Sequence, residues 1–309
     1  MAQGSRRVVL IALAGNGAIA LAKFAAAGLS GSTAMLTEAI HSLVDTGDQL
    51  LLLVGQSRGR RRPDETHPLG YGMETYFWSF IVALMVFVLG GVLSIYEGVR
   101  HILRPSPLVS PWISLGVLAV STVFEGMSFR AGWREYKRVV RGAPIRLWSF
   151  IRGSKDPGLV SVLLEDSAAL IGIALAAIGV IAASFFHLAW ADGAASVAIG
   201  ALLAGIAFVL ANETRSLIAG ESVAPIVMER LKETLDRINC ITRLEEIATL
   251  HLGPGAILVA LTLAFRPKAT TSAIEAAIVE ITECLQATDG RVAYVYVRPA
   301  DAGRAKVKG

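Results

Sequence analysis

The chain of 309 residues has few charged residues and very few cysteines. Only 17% of its residues are charged, 54% are hydrophobic and the mean hydropathy is +0.57, a balance too apolar for an ordinary soluble protein of this size. The two cysteines, Cys240 and Cys284, lie far apart without a CxxC motif, so we interpret them as buried thiols in a reducing compartment. The shortage of charged residues together with the high hydropathy predicts a membrane protein.

Other absences exclude whole classes of function. The formal net charge is only +4, and the basic residues form short clusters beside apolar runs, so we expect no nucleic-acid partner. The chain contains neither an HExxH nor a GxSxG motif and no persuasive nucleophile, which argues against an enzyme.

Six apolar segments are present, and crossing a hydrocarbon core takes roughly 20 residues. They cover residues 8–28, 34–55, 75–96, 112–127, 160–185 and 193–212. Basic clusters at residues 6–7, 58–62 and 130–155 fall on one side, whereas the other side holds only Arg100 and Arg104. The positive-inside rule then places both termini in the cytoplasm. We expect an integral membrane protein with six transmembrane helices in a bacterial inner membrane.

The second segment carries a polar face. Glu38, His41, Asp45 and Asp48 are spaced i, i+3, i+7 and i+10, which aligns them along one side of a helix. Each such group at the centre of a membrane costs roughly 2.5–3.5 kcal/mol on insertion scales, so the face must meet a cavity, a partner or a bound ion.

His41 and Asp45 are one helical turn apart and can offer a nitrogen and an oxygen to the same cation. This mixed donor set suits zinc or another borderline divalent metal better than calcium or magnesium. The alternative is that His41 is a hydrogen-bonded core residue, with Glu38 and Asp48 at the membrane interface; otherwise these two are accessory metal ligands.

Acidic residues on two further segments are candidates for the same site. Glu165 and Asp166 are adjacent on the fifth segment and therefore point about 100° apart on a helix, so we take Asp166 as the first ligand and Glu165 as the second. Glu125 interrupts the fourth segment and is a further candidate, whereas Lys23 on the first is expected to snorkel or to pair with an acidic residue.

The loop at residues 63–72 contains Asp64 and His67 among proline and glycine. A turn that leads into the third segment is the favoured interpretation, and an accessory metal site at the cytoplasmic mouth is the alternative.

The C-terminal part is polar and has mixed periodicity. Residues 222–238 predict an amphipathic helix, residues 242–252 and 256–266 two strands, residues 271–286 a second helix and residues 291–297 a third strand. We therefore divide the chain into a transmembrane domain (1–215), a cytoplasmic α+β domain of order αββαβ (216–300) and a disordered tail (301–309).

STAMLTEAIHSLVD on the second segment, HPLGYG after it, the acidic pair on the fifth and the αββαβ tail together resemble the cation diffusion facilitator family. SFIRGSKDPGLVSVLLEDSAALIG further resembles the branch of that family that contains zinc transporter nine. The resemblance covers nearly the whole chain. It implies a homodimer with a ferredoxin-like tail that exchanges cytoplasmic divalent metal for protons by alternating access.

Carried over to this chain, the resemblance implies a transport site of His41, Asp45 and Asp166. The fourth ligand of the family lies one turn before the fifth-segment aspartate, where this chain has Val162, so Glu165, Glu125 or water must replace it. We favour Glu165, which shares a helix with Asp166. The tail offers only His251, which implies dimerisation without a multi-metal cluster.

The sequence therefore predicts a secondary active transporter that exports zinc or a similar divalent ion in exchange for protons and needs no prosthetic group. Coupling has a chemical reason, because metal displaces protons from its ligands and imidazole titrates near neutral pH. The alternatives are a membrane-embedded metalloenzyme and a non-transporting scaffold or regulatory subunit, for which Val162 is the best argument.

Overall fold

The computed structural model describes residues 3–105, 110–140, 147, 150–151, 157–267 and 269–300, with side chains from Asn16 onward. The described chain forms two compact units. One contains the residues up to Gly55 together with Phe77–Arg215, and the other contains Gln56–Tyr76 and the residues from Ser216 onward. The predicted tail at 301–309 lies outside the described residues.

Six long helices make up most of the first unit. They are α1 (Gln3–Ser30), α2 (Thr33–Gly59), α3 (Glu74–Leu103), α4 (Pro111–Val140), α5 (Pro157–Phe185) and α6 (Ala191–Ile218). By length and composition, α3 to α6 can each cross a membrane, which confirms four of the six predicted spans. Large apolar side chains on these helices, such as Phe208 and Met127, are more than 60% exposed, as is typical of a lipid-facing surface.

Helix α4 is longer than predicted. The sequence interpretation assigned the basic residues from Arg130 onward to a loop, but the helix continues to Val140. Arginine and lysine are good helix formers, and this part of α4 packs on its neighbours: a Cβ at Gly132 would lie 3.3 Å from Val162, and Tyr136 meets Phe150 with ring centroids 4.9 Å apart.

Helices α3 and α6 approach each other closely through glycine. A Cβ on Gly98 would lie 2.7 Å from the carbonyl oxygen of Gly193, and one on Gly200 would lie 2.8 Å from that of Gly91. Small residues at helix contacts are the usual means by which membrane helices reach such short separations. Gly91 lies in a π-helical stretch of α3, Val86–Val92.

The second unit contains helix α7 (Pro225–Asp236), strand β1 (Ile241–Gly253), strand β2 (Ala256–Phe265), helix α8 (Thr271–Thr288) and strand β3 (Val292–Pro299). This is the predicted αββαβ order. The sheet has the order β1-β2-β3, with β1 antiparallel and β3 parallel to β2. Alternate residues of β2 from Ile257 to Leu263 are buried against the apolar side chains of α7 and α8, as a half-buried strand requires.

The loop between α2 and α3 belongs to this second unit. Gly72 lies directly against the end of β1, because a Cβ at this position would overlap the carbonyl oxygen of Leu252 and one on Gly253 would come within 2.9 Å of Gly72.

Candidate metal site

The start of α2, the helix with the polar face, is fixed by a buried carboxylate from α6. Asp192 is fully buried and accepts hydrogen bonds from the backbone N–H groups of Thr33 (2.5 Å) and Ala34 (3.2 Å) and from the Ser32 hydroxyl (2.5 Å). Ser32 also caps the helix, since its oxygen accepts from the Met35 N–H. A negative charge at a helix N-terminus is electrostatically favourable, so Asp192 both satisfies these donors and ties α2 to α6.

Glu38, the first residue of the polar face, pairs with a lysine. Lys23 Nζ lies 3.1 Å from Glu38 Oε2 and 2.7 Å from the Ser42 hydroxyl, and both charged side chains are completely buried. Gly172 on α5 leaves space for the carboxylate, since a Cβ there would overlap Glu38 Oε1. The sequence interpretation left open whether Lys23 snorkels or pairs with an acidic residue, and in the structure it pairs with Glu38.

His41 and Asp45 contact each other at the next level of α2. His41 is 1% exposed, and its Nδ1 lies 3.3 Å from Asp45 Oδ1. Neither ring nitrogen makes a hydrogen bond with a described residue. A buried imidazole whose donors and acceptors are unused is available to bind a ligand.

Asp45 opens into a cavity of about 90 Å³ between α1, α2, α4 and α5. Liquid water takes about 30 Å³ per molecule, so the cavity can hold a few waters or a partly hydrated ion. Its polar lining consists of Asn16, Ser42, Asp45, Gln49, Glu125, Ser128, Glu165 and Asp166. His41 is not among the described lining residues, and its link to the cavity is the contact with Asp45.

The carboxylates of α4 and α5 therefore meet Asp45 in one place. Asp166 accepts a 2.8 Å hydrogen bond from the Ser128 hydroxyl, which orients it. Val162 also lines the cavity, so the wall is apolar at the position one turn before Asp166.

Asp48 forms a group with Asp45 and Glu165, two of the carboxylates that line the cavity. One oxygen from each of these three carboxylates lies within 4.8 Å of the other two. Asp48 is completely buried and Glu165 is 8% exposed. Along the polar face of α2, Glu38 therefore pairs with Lys23, His41 contacts Asp45, and Asp48 is grouped with Asp45 and Glu165.

Asp64 and His67, the two candidates in the loop after α2, lie in the second unit and are half-exposed. The Asp64 carboxylate accepts from the Tyr71 hydroxyl (2.6 Å), from the Thr66 hydroxyl and backbone N–H, and from the His67 N–H. The hydrogen bonds from Tyr71 and Thr66 hold the pKa of Asp64 well below its usual range. His67 Nδ1 is 3.9 Å from the same carboxylate, and the segment folds as a compact turn.

Two residues that position the metal site of the first unit, Asp192 and Ser128, were not identified from the sequence. Asp192 stands at the start of an apolar run, where an acidic residue resembles an ordinary helix-end charge, and its partners lie about 160 positions away. Ser128 follows Glu125 by three residues, and this spacing places both on one face of α4. The spacing could therefore have identified Ser128 as a residue of the same site.

Comparison with known proteins places these features in a family. The cation efflux transmembrane domain matches residues 9–219. The proton-coupled zinc antiporter SLC30A9, mitochondrial, of Homo sapiens is 33% identical over 256 residues, covering 82% of this chain and 45% of that protein. Metal tolerance protein C4 of Arabidopsis thaliana is 30% identical over 254 residues, covering 82% of this chain and 56% of that protein.

A bacterial relative is less similar in sequence, but the match covers a larger share of that protein. Manganese efflux system protein MneP of Bacillus subtilis (strain 168) is 25% identical over 251 residues, which cover 81% of each chain. The chain thus spans about half the length of the human and plant relatives and most of the bacterial one.

Proposed function

The chain belongs to the cation efflux family, and on that premise we propose that it is a secondary active transporter that exports a divalent metal ion from the cytoplasm in exchange for protons. The observation that carries the proposal is the meeting of α2, α4 and α5 side chains at one buried cavity, which has Asp45, Glu125, Glu165 and Asp166 in its lining. Buried ionisable groups within membrane helices mark ion and proton pathways. The metal is the substrate, so the proposal needs no prosthetic group and no enzymatic step.

We assign zinc as the preferred ion because of the donor set. His41 supplies a nitrogen, whereas Asp45 and Asp166 supply oxygens, and zinc accepts both types in a tetrahedral site. The fourth position cannot come from Val162, so a carboxylate from Glu125 or Glu165, or a water molecule, must complete the shell. The relative named as a zinc antiporter supports zinc, and the one named as a manganese efflux protein shows that ion choice varies among the relatives.

Proton coupling follows from competition at the same atoms. A metal ion binds deprotonated ligands and releases their protons, and imidazole changes protonation near neutral pH. When the cavity faces the opposite side of the membrane, protons that return to His41 or to a buried carboxylate displace the metal. A proton gradient then drives export through alternating access.

The proposed topology has six spans, with both termini and the C-terminal α+β unit in the cytoplasm. Helices α1 and α2 contain 28 and 27 residues, which at 1.5 Å per residue is about 40 Å each. The carboxylates of Glu38 and Asp48 on α2 are buried within the protein, so they need not face lipid. We propose a location in a bacterial inner membrane, since the match to the bacterial relative extends over most of its length. We also propose a homodimer, as the family resemblance implies.

Flux measurements in proteoliposomes test the proposal. The purified protein should move zinc, reported by a trapped fluorescent indicator, at a rate that rises with an opposing pH gradient. His41→Ala and Asp45→Ala should abolish this flux, while Glu97→Gln, which removes a carboxylate paired with Arg100 on α3, should retain it. Normal flux in both site variants would refute the assigned site.

A second candidate function has one observation in its favour. Val162 gives the cavity an apolar wall where the family resemblance leads us to expect a ligand, so the chain can instead be a regulatory or scaffold member that has lost transport. Such a protein would show no zinc flux above that of protein-free liposomes, even with a pH gradient.

A further inference from the structure

Asp48 has no role in the transport site proposed above, yet its carboxylate is completely buried. Its side chain is completely inaccessible, and neither of its oxygens has a hydrogen-bond partner among the described residues. Glu165 is also more than nine-tenths buried, and its Oε1 lacks a partner within the same described part of the chain. Buried polar atoms are almost always satisfied, so three unpartnered oxygens on two neighbouring carboxylates, Asp48 and Glu165, indicate a ligand.

The spacing of the oxygens fits one metal ion. One oxygen each from Asp45, Asp48 and Glu165 lies within 4.8 Å of the other two. Oxygen ligands bind hard divalent ions at about 2.0–2.6 Å, so ligands on opposite sides of an ion are roughly 4–5 Å apart. A single ion placed among these oxygens can therefore reach all three after small side-chain rotations.

The negative charges of the three carboxylates also favour a bound cation. Three carboxylates at this separation repel one another strongly in surroundings of low dielectric constant. Lys23, a buried lysine on α1, does not relieve that repulsion, because its ammonium group is engaged by Glu38 and Ser42. A divalent cation supplies the missing positive charge.

We propose that Asp45, Asp48 and Glu165 form a second cation position with only oxygen ligands, which takes a hard divalent ion such as Mn²⁺. Carboxylate and water ligands suit magnesium, calcium and manganese, whereas an imidazole nitrogen favours zinc and its neighbours. Asp45 is common to both positions, since its Oδ1 is also 3.3 Å from His41 Nδ1. The inference rests on the proposed function in one respect, namely that the chain binds metal as its substrate.

This assignment also divides the carboxylates of the cavity. Glu165 belongs to the all-oxygen position, and Glu125 is then the side chain left to complete the zinc shell with His41, Asp45 and Asp166. The two positions share one bridging carboxylate, as neighbouring metal positions commonly do, so loss of Asp45 affects both ions while loss of His41 or Asp48 affects one.

Binding measurements on the full chain in detergent test the proposal. Manganese binding is followed by the loss of the paramagnetic resonance signal of free Mn²⁺, and zinc binding by calorimetry. Asp48→Asn preserves the size of the side chain, Glu165→Gln is a second variant of the same position, and His41→Ala addresses the other position. Glu97→Gln on α3 is the matched control, because it also neutralises a carboxylate in the membrane unit but one paired with Arg100.

We expect Asp48→Asn and Glu165→Gln to weaken Mn²⁺ binding by at least about 10- to 100-fold, the loss typical even of an indirect metal partner. Asp48→Asn should change zinc affinity by less than about threefold, because Asp48 is not a ligand of the zinc position. His41→Ala should do the reverse. Unchanged Mn²⁺ affinity in both carboxylate variants, or equal losses of both metals in every variant, would overturn the second position. If the unmodified protein binds zinc through His41 but no Mn²⁺, only this inference fails; if it binds neither metal, the proposed function fails with it.

Discussion

The buried pair of Lys23 and Glu38 allows a sharp test of how the polar face of α2 is used. Both side chains are completely inaccessible and their charged atoms are 3.1 Å apart. Removal of one partner from a buried ion pair leaves an uncompensated charge and typically costs about 3–5 kcal/mol. We therefore expect Lys23→Met and Glu38→Gln each to lower the thermal unfolding midpoint by roughly 6–20 °C, taking about 2–4 °C per kcal/mol.

The double variant Lys23→Met/Glu38→Gln distinguishes a pair from two independent residues. Because it removes both charges together, it should be more stable than either single variant, which a thermal double-mutant cycle in detergent measures directly. Zinc affinity of the folded Glu38→Gln protein should stay within about threefold of the unmodified chain, since a second-sphere metal partner would cost about 10- to 100-fold. Strictly additive destabilisation, or a large loss of zinc affinity without a thermal shift, would refute this reasoning and favour Glu38 as an accessory ligand.

Three further predictions concern the scaffold. Asp192→Ala removes three hydrogen bonds to the start of α2 and should destabilise the protein by about 3 kcal/mol or more, with Asp192→Asn intermediate; thermal unfolding within 2 °C of the unmodified chain would contradict this. The depressed pKa of Asp64 means that its stabilisation of the loop is present above about pH 4 and is lost as the pH falls through its folded pKa. The hydrogen-exchange protection factors of the Thr66 and His67 amides, corrected for the intrinsic pH dependence of exchange, should therefore fall at acidic pH in the unmodified protein and should already be low at pH 6 in Asp64→Ala. The proposed homodimer should persist in chelator, and a shift to monomer in light scattering would reveal a metal site in the interface.

Much of the architecture follows from local patterns. Apolar runs predicted α3 to α6 because a helix that can cross a membrane must be long and apolar, and alternation within β2 predicted a half-buried strand. The end of α4 was not predicted, because charged residues were taken to mark a loop. In the structure this end is helical, and its residues Gly132 and Tyr136 pack against Val162 and Phe150.

The candidate site shows which contacts local sequence patterns cannot predict. Helical spacing correctly aligned Glu38, His41, Asp45 and Asp48 on one face, but it carries no information on which neighbouring helix meets each residue. In the structure, Glu38 forms an ion pair with Lys23, and Asp48 lies near Glu165. These pairings depend on helix packing between segments far apart in sequence, as does the contact between Asp192 and α2.

The most direct test of the central claim is X-ray absorption at the zinc edge on the protein loaded with one equivalent of zinc. We predict a shell with one imidazole nitrogen at about 2.0–2.1 Å, the remainder oxygen and no sulfur, and the loss of the nitrogen contribution in His41→Ala. The chain has four other histidines, so the variant decides which one binds. An imidazole signal that persists unchanged in His41→Ala would contradict the assignment of the metal to the membrane cavity.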